Sequence, residues 1–255
     1  MNKFSILINS IKILENWYVL PLVYFGIFKK TFYILRLRNG LKIKLRNNST
    51  DIFTFVNIWI IQEYSKIFTQ TTETVIDIGS HIGMFSLYAW KHNARRIFAF
   101  EPIKENFDLF NDNISLNKIE NIECENIAVY DSTSEVEIYV NQDFAAHSLI
   151  NKDGDIRKVK SISLKKIFDQ KNIEKCDILK LDCEGSEYKI LDELPNSYYE
   201  KISRICLEYH IFNNEKNLLT NLIDRLKKLH FSVEVNYTHE KMGMLYAIES
   251  KNPEK

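Results

Sequence analysis

Glycine is scarce in this chain, with 7 among 255 residues, and proline is scarcer, with 4. That shortage excludes the collagen-like and low-complexity classes. No internal repeat is visible, and no Pro/Gly/Ser-rich linker divides the chain, so its parts are expected to pack together. Cysteine occurs four times, at Cys124, Cys176, Cys183 and Cys206. No pair stands at CxxC spacing and no histidines interleave with them, so neither a disulfide framework nor a zinc site is expected. Buried, reduced thiols in a cytoplasmic protein are the simpler reading. An excess of one charge is also missing: Lys+Arg and Asp+Glu both number 34. That balance argues against a dedicated duplex nucleic-acid binder, which would show a basic surplus. The longest apolar run, over 17–28, is about twelve residues and is broken by Pro21, short of the ~20 that cross a bilayer. Lys3 and Lys12 precede no small-residue cleavage site, so no signal peptide is expected.

What is present is a well-furnished core. Phe (16) and Tyr (13) are too abundant for disorder over most of the length. Residues 1–30 carry apolar side chains at helical spacing and read as one or two helices ending before Lys29. The segment 33–46 alternates apolar and basic residues around Asn39-Gly40 and reads as a hairpin. A three-residue loop, Arg38-Asn39-Gly40, pairs Leu37 with Leu41 and Leu35 with Ile43. That register leaves Arg36, Lys42, Lys44 and Arg46 on the opposite face. It predicts a type I turn with Gly40 left-handed in a bulge. Residues 51–68 read as a helix with Asp51 as its N-cap.

From about residue 70 the pattern becomes strand-helix alternation. Strands are predicted at 74–78, 96–100, 122–129, 136–140, 156–162, 177–182 and 202–210. Helices are predicted at 83–92, 104–117, 164–170, 185–194 and 215–229. An Asp153-Gly154 turn joins two of the strands, and a last hairpin joins 231–235 to 244–249, adding an antiparallel strand to the sheet edge. Apolar strands alternating with helices mean a parallel sheet covered on both faces, a doubly wound α/β fold. The division is placed near residue 70: an accessory helix and hairpin segment over 1–70, and the α/β domain over 71–255.

In such a sheet the ligand sits beyond the carboxyl ends of the strands. The first core strand runs into Asp77-Ile78-Gly79-Ser80-His81-Ile82-Gly83. An acid, a glycine turn and a helix start suit a polar ligand, but the GxGxxG spacing of a nicotinamide site is absent. The acid ahead of the first glycine suits a positively charged ligand group. Glu101 follows Asp77 by 24 positions, near the offset at which an acid meets ribose hydroxyls. Pro102 and Ile103 offer an apolar wall for a purine. The third strand ends Glu125-Asn126-Ile127-Ala128, where Asn126 has a donor and an acceptor for an adenine edge. The fourth ends Asp182-Cys183-Glu184-Gly185-Ser186-Glu187, three carboxylates that repel unless they meet a cation, a sulfonium or hydroxyl donors. The fifth brings Glu208 and His210 to the same rim.

The runs VIDIGSHIGMFSLYA, FAFEP, NIAVYD, DILKLDCEGSEYKIL and CLEYH together resemble the FkbM family of S-adenosylmethionine-dependent methyltransferases, over about 70–210. The NGLKIKLR hairpin resembles the segment that precedes that family's core. One departure is local: the family commonly has Ala-Asn where this chain has Ser80-His81. The resemblance implies a Rossmann-like class I methyltransferase sheet of seven strands, with S-adenosylmethionine lying across Asp77, Gly79, Glu101 and Asn126. It also implies methyl transfer to a hydroxyl. With Ser80, His81, Gly83, Pro102, Ala128 and Asp182 added, those residues make the expected cofactor site.

An alcohol acceptor needs its proton removed as the new bond forms. The expected catalytic residues are Asp182, Glu184 and His210, with His210 or Asp182 favoured as base and Glu187 orienting Lys180 or the acceptor. Blander readings stand beside these. Gly79 and Gly83 also fit a tight turn and a close helix contact, Asp182 and Glu184 a helix cap, and His210 a solvated strand end. His147 and Ser148 are a minority choice for the acceptor pocket. The expected substrate is a small molecule or glycan. No resident metal is expected, although Asp182, Glu187 and His210 could share a divalent cation. The basic hairpin face is read as solvated, with an anionic substrate or lipid head group as second choice. The 17–28 run is read as a core or interface helix, with peripheral membrane contact second. The leading alternative to an enzyme is a catalytically silent nucleotide- or glycan-binding module on the same fold. A nicotinamide oxidoreductase ranks below it, because of the glycine spacing.

Overall fold

A computed structural model describes residues 3–69, 71–140, 155–211, 216–239 and 241–250. The N-terminal part opens with helices α1 (Lys3–Ile13) and α2 (Val19–Tyr24), then the hairpin β1 (Phe32–Arg36) and β2 (Lys42–Arg46), then the short helix α3 (Asp51–Phe55). The hairpin register follows the sequence pattern. Leu35 faces Ile43, Leu37 N donates to Leu41 O at 2.8 Å, and Gly40 is left-handed at φ +91°. Tyr33, Leu35, Leu37, Leu41, Ile43 and Leu45 are all buried. The free edge of β2 is covered from the helix α5 (Lys104–Leu116) and its C-terminal cap. Asn113 and Asn117, one turn apart, accept from the Lys44 and Lys42 amides at 2.7 Å and donate back to the same residues' carbonyls. Two side-chain amides thus stand in for a missing strand, one way of blunting an edge.

The helix expected over 51–68 is broken. α3 passes into a π-helical turn, Val56–Ile61, and a 3-10 turn at Ser65–Ile67, with Gln62 left-handed between them. The wider turn accompanies the burial of three consecutive residues, Ile58, Trp59 and Ile60. Asp51 does not cap it by its side chain. The N-cap is Thr50, and the fully buried Asp51 carboxylate takes Arg46 Nη2 at 2.8 Å.

The main sheet has seven strands: β3 (Thr74–Ile78), β4 (Arg96–Phe100), β5 (Ile122–Glu125), β9 (Ile178–Leu181), β10 (Arg204–His210), β11 (Phe231–His239) and β12 (Met242–Glu249). Their spatial order is β11-β12-β10-β9-β3-β4-β5. β5, β4, β3, β9 and β10 run parallel, and β12 is antiparallel to both its neighbours. The terminal hairpin does not place its antiparallel strand at the edge. β12 inserts beside β10 and leaves β11 outermost. The predicted 122–129 strand is also split: β5 ends at Glu125, and β6 (Ala128–Tyr130) joins a separate three-stranded sheet with β7 (Glu135–Val140) and β8 (Asp155–Ser163).

Alternation along the strands sends side chains to two cores. Val75, Ile97 and Ile178 join the N-terminal part and α4 (Met84–Lys91). Ile76, Phe98 and Leu179 face α6 (Leu164–Gln170), α7 (Glu187–Glu193) and α9 (Lys216–Lys228). The hairpin and helices 3–67 thereby share one core with the sheet, as the lack of a linker predicts. The four cysteines are free, and burial pushes every thiol's pKa up, which keeps them protonated.

Candidate active site

The carboxyl ends of β3, β4 and β9 open into a cleft. Gly79, His81, Glu101, Pro102, Ala128, Asp182 and Glu184 line it, with Ile103, Ile138 and Cys183. Thr54 reaches it from α3, a contribution that no strand-end pattern could reveal. The remaining expected residues stand elsewhere.

Asp77 lies under the floor. It is fully buried, 3.0 Å from Lys180 Nζ, and accepts from Ser86 Oγ at 2.7 Å. Lys180 Nζ also donates to Gly79 O at 2.7 Å and stands 3.7 Å from Asp182. Burial opposes the Lys180 charge, but the Asp77 and Asp182 carboxylates outweigh it and hold its pKa above lysine's usual value. The acid ahead of the glycine turn therefore meets a lysine of the chain rather than open cleft. Gly79 is left-handed at φ +73°, and a Cβ there would stand 1.8 Å from the Asp182 carbonyl. Gly83, at φ +88°, would drive a Cβ into the Phe110 ring at 2.1 Å. Both glycines are required by packing within the chain. Ser80 is buried and does not line the cleft. Asn126 is exposed on the far side of the loop, where its amide ties the Glu101 and Pro102 carbonyls at 2.9 Å.

Glu101 is buried in the cleft wall, and its carboxylate is partly committed. Oε2 accepts from His81 N at 2.8 Å, and Oε1 from Ile103 N at 2.9 Å and Asn106 Nδ2 at 3.3 Å. A carboxylate has about four lone-pair sites, so one remains for a hydroxyl donor. Burial pushes the Glu101 pKa up to about 7, against the pull of those backbone donors. His81 is left-handed at φ +51°, a conformation that histidine adopts more readily than most residues. Its Nε2 lies 2.9 Å from Arg46 Nη2 and 3.3 Å from Asp51 Oδ1. The hairpin thus grips the glycine turn after β3, an arrangement with no local sequence signal.

At the other end, Glu184 is also left-handed, at φ +53°. Non-glycine residues in that region cluster at functional sites. Glu187 does not orient Lys180. Its buried carboxylate folds back to accept from Cys183 N (2.7 Å) and Gly185 N (2.8 Å). His210 is buried behind the cleft, its ring nitrogens 3.5 Å from Glu184 and 3.6 Å from Glu187. Burial works against its charge, but Glu187, Glu184 and Asp182 raise its pKa to about 10. The imidazole thus pairs with Glu184 and Glu187 and does not line the cleft. Among the described residues no three His, Cys, Asp or Glu side chains are grouped to hold a metal ion. Glu63, at the end of the π-helical segment, and Glu208 complete the acidic rim. Burial first, and Asp182 next, raise both of their pKa values, that of Glu208 to about 8. His147 and Ser148 lie outside the described residues.

The rim fits S-adenosylmethionine on two counts. Its carboxylates outnumber the two cations set among them, Lys180 and His210, and a cationic ligand offsets that excess, while Glu101 keeps room for a hydroxyl beside the apolar Pro102, Ile103 and Ala128 wall. The fold is that of class I S-adenosylmethionine-dependent methyltransferases. It superposes on the SAM-dependent methyltransferase from Agrobacterium tumefaciens with TM-score 0.51 at 10% identity, over 88% of this chain and 72% of that one. The Methyltransferase FkbM domain matches residues 77–241, and the chain belongs to that family, whose methyl donor is S-adenosylmethionine. It is 22% identical over 157 residues to Methyltransferase 1 of Beauveria bassiana, covering 52% of this chain and 63% of that protein. It is 21% identical over 188 residues to Methyltransferase sdnD of Sordaria araneosa, covering 57% and 73%.

Proposed function

We propose that the chain methylates a hydroxyl of a sugar, glycoconjugate or other small molecule. The observation that carries this reading is the division of the cleft's acids. Glu101 is held among backbone donors at one end, while Asp182 and Glu184 stand half-exposed at the other. Bound S-adenosylmethionine supplies an electrophilic methyl group on a sulfonium. Glu101 would hold its ribose, and Pro102, Ile103 and Ala128 its base. Asp182 would take the acceptor's proton, with Lys180 fixed 3.7 Å away to steady its orientation. Glu184 would accept a second acceptor hydroxyl, and His210 would hold Glu184 in place. The free thiols fit a reducing compartment such as the cytoplasm.

Radiolabelled S-adenosylmethionine offered with a panel of sugars, glycolipids, phenols and amines tests this. Label in an alkali-stable ether is expected; label on nitrogen alone, or on nothing, overturns it. Asp182→Asn should lower turnover by ~10²-fold or more, as loss of an acid–base group does, with affinity for S-adenosylhomocysteine nearly unchanged. Unchanged turnover would remove Asp182 as base.

A further inference from the structure

The net charge of zero conceals a division. The first 50 residues carry nine Lys and Arg against one acid, Glu15, whereas residues 51–255 carry 25 against 33. The same stretch gathers the exposed apolar side chains: nine of the fifteen large exposed hydrophobics among the described residues lie within it. On α1, Leu7, Ile8 and Ile11 share one side. After α2, Tyr24, Phe25 and Ile27 are 60–71% exposed and run directly into the exposed Lys29 and Lys30. The hairpin does not extend this surface: Arg46 is clasped by Asp51, Lys44 is paired with Asp112, and Glu105, Asp108 and Asp112 stand beside Phe32. Monomeric proteins rarely leave such a concentration of apolar surface in water.

We propose that the surface of residues 7–30 docks on a bilayer rich in anionic lipid. Aromatic and aliphatic side chains beside Lys12, Lys29 and Lys30, with Glu15 as the one acid of the stretch, match the acyl boundary and the phosphate layer respectively. No helix among the described residues is long and apolar enough to cross a membrane, so the contact is with the interface. The acidic remainder of the chain is repelled by the same lipid, so the charge division orients the molecule with its N-terminal face inward. The exposed aliphatics Leu7, Ile8, Ile11 and Ile27 favour lipid over RNA, which uses basic and aromatic side chains but not these. The inference does not depend on which acceptor the cleft takes.

Sedimentation with vesicles of phosphatidylcholine, alone or mixed with phosphatidylglycerol, tests it on the full chain. Binding about tenfold or more tighter to the anionic vesicles is expected. Tyr24→Ser/Phe25→Ser/Ile27→Ser and Lys29→Glu/Lys30→Glu should each abolish most of it, with calorimetric binding of S-adenosylhomocysteine unchanged as proof of fold. Equal sedimentation with both vesicles, or binding indifferent to both variants, overturns the proposal. So does a dimer in ultracentrifugation that the serine variant dissociates, which would give the face to a second copy. RNA retention through Lys29 and Lys30 without vesicle binding would overturn it as well.

Discussion

The two ends of the cleft hold acids in opposite ways. On the β3–β4 side, Asp77 is matched by a buried lysine and Glu101 by two backbone amides and an asparagine. On the β9–β10 side, Asp182, Glu184, Glu208 and Glu63 crowd together, with Lys180 and His210 as their cations. Fixed, satisfied acids preorganise a binding surface at little cost when a ligand arrives. Crowded acids take up protons or cations readily, which is what an acceptor site needs.

Replacing acids one at a time sharpens the contrast. Asp77→Ala should have the largest effect on folding, about 3–5 kcal/mol lost in urea unfolding, because it strands the Lys180 ammonium inside the sheet. A loss below ~1 kcal/mol would mean that Asp182 swings in to replace it and that the two ends are not separate. Glu101→Ala should weaken S-adenosylhomocysteine binding by about 1–3 kcal/mol in calorimetry, and an unchanged Kd would move the ribose elsewhere.

The smallest effect is with pH. Glu101 and Glu208, at about 7 and about 8, are mostly protonated at pH 6 and ionised at pH 9. Hydroxyl donors and cations prefer the ionised form, so affinity for S-adenosylmethionine should rise across that range with release of protons. Stability should run the other way. The fold raises Glu101 and Glu208 from 4.5 and His210 from 6.5, so it binds those protons more tightly than the unfolded chain does. Their stabilisation is therefore lost as pH climbs through about 7, 8 and 10. Urea midpoints that rise with pH would contradict this.

Much of the fold was legible because it depends on local periodicity. The hairpin register, the five parallel strands and the helices between them follow from alternation and turn residues. The position of β12 was not, because nothing within a terminal hairpin says which of its strands pairs with the sheet. The split at Asn126-Ile127 was hidden because both halves are strand-like. At the site, spacing located Glu101, Asp182 and Glu184 on the cleft. It misplaced Asp77 and His210, whose surroundings are set by Lys180 and Glu187, residues that meet them only after folding. Asn126 was read as a ligand group because a side-chain amide looks the same in sequence whether it serves a purine or two backbone carbonyls.

The matched FkbM domain begins at residue 77, yet Arg46 and Asp51 clasp His81, whose amide donates to Glu101. Trimming the protein to that domain would discard the fingers of the clasp. Grafting its sheet behind a different leader would transplant the strands while leaving the glycine turn at their ends unset.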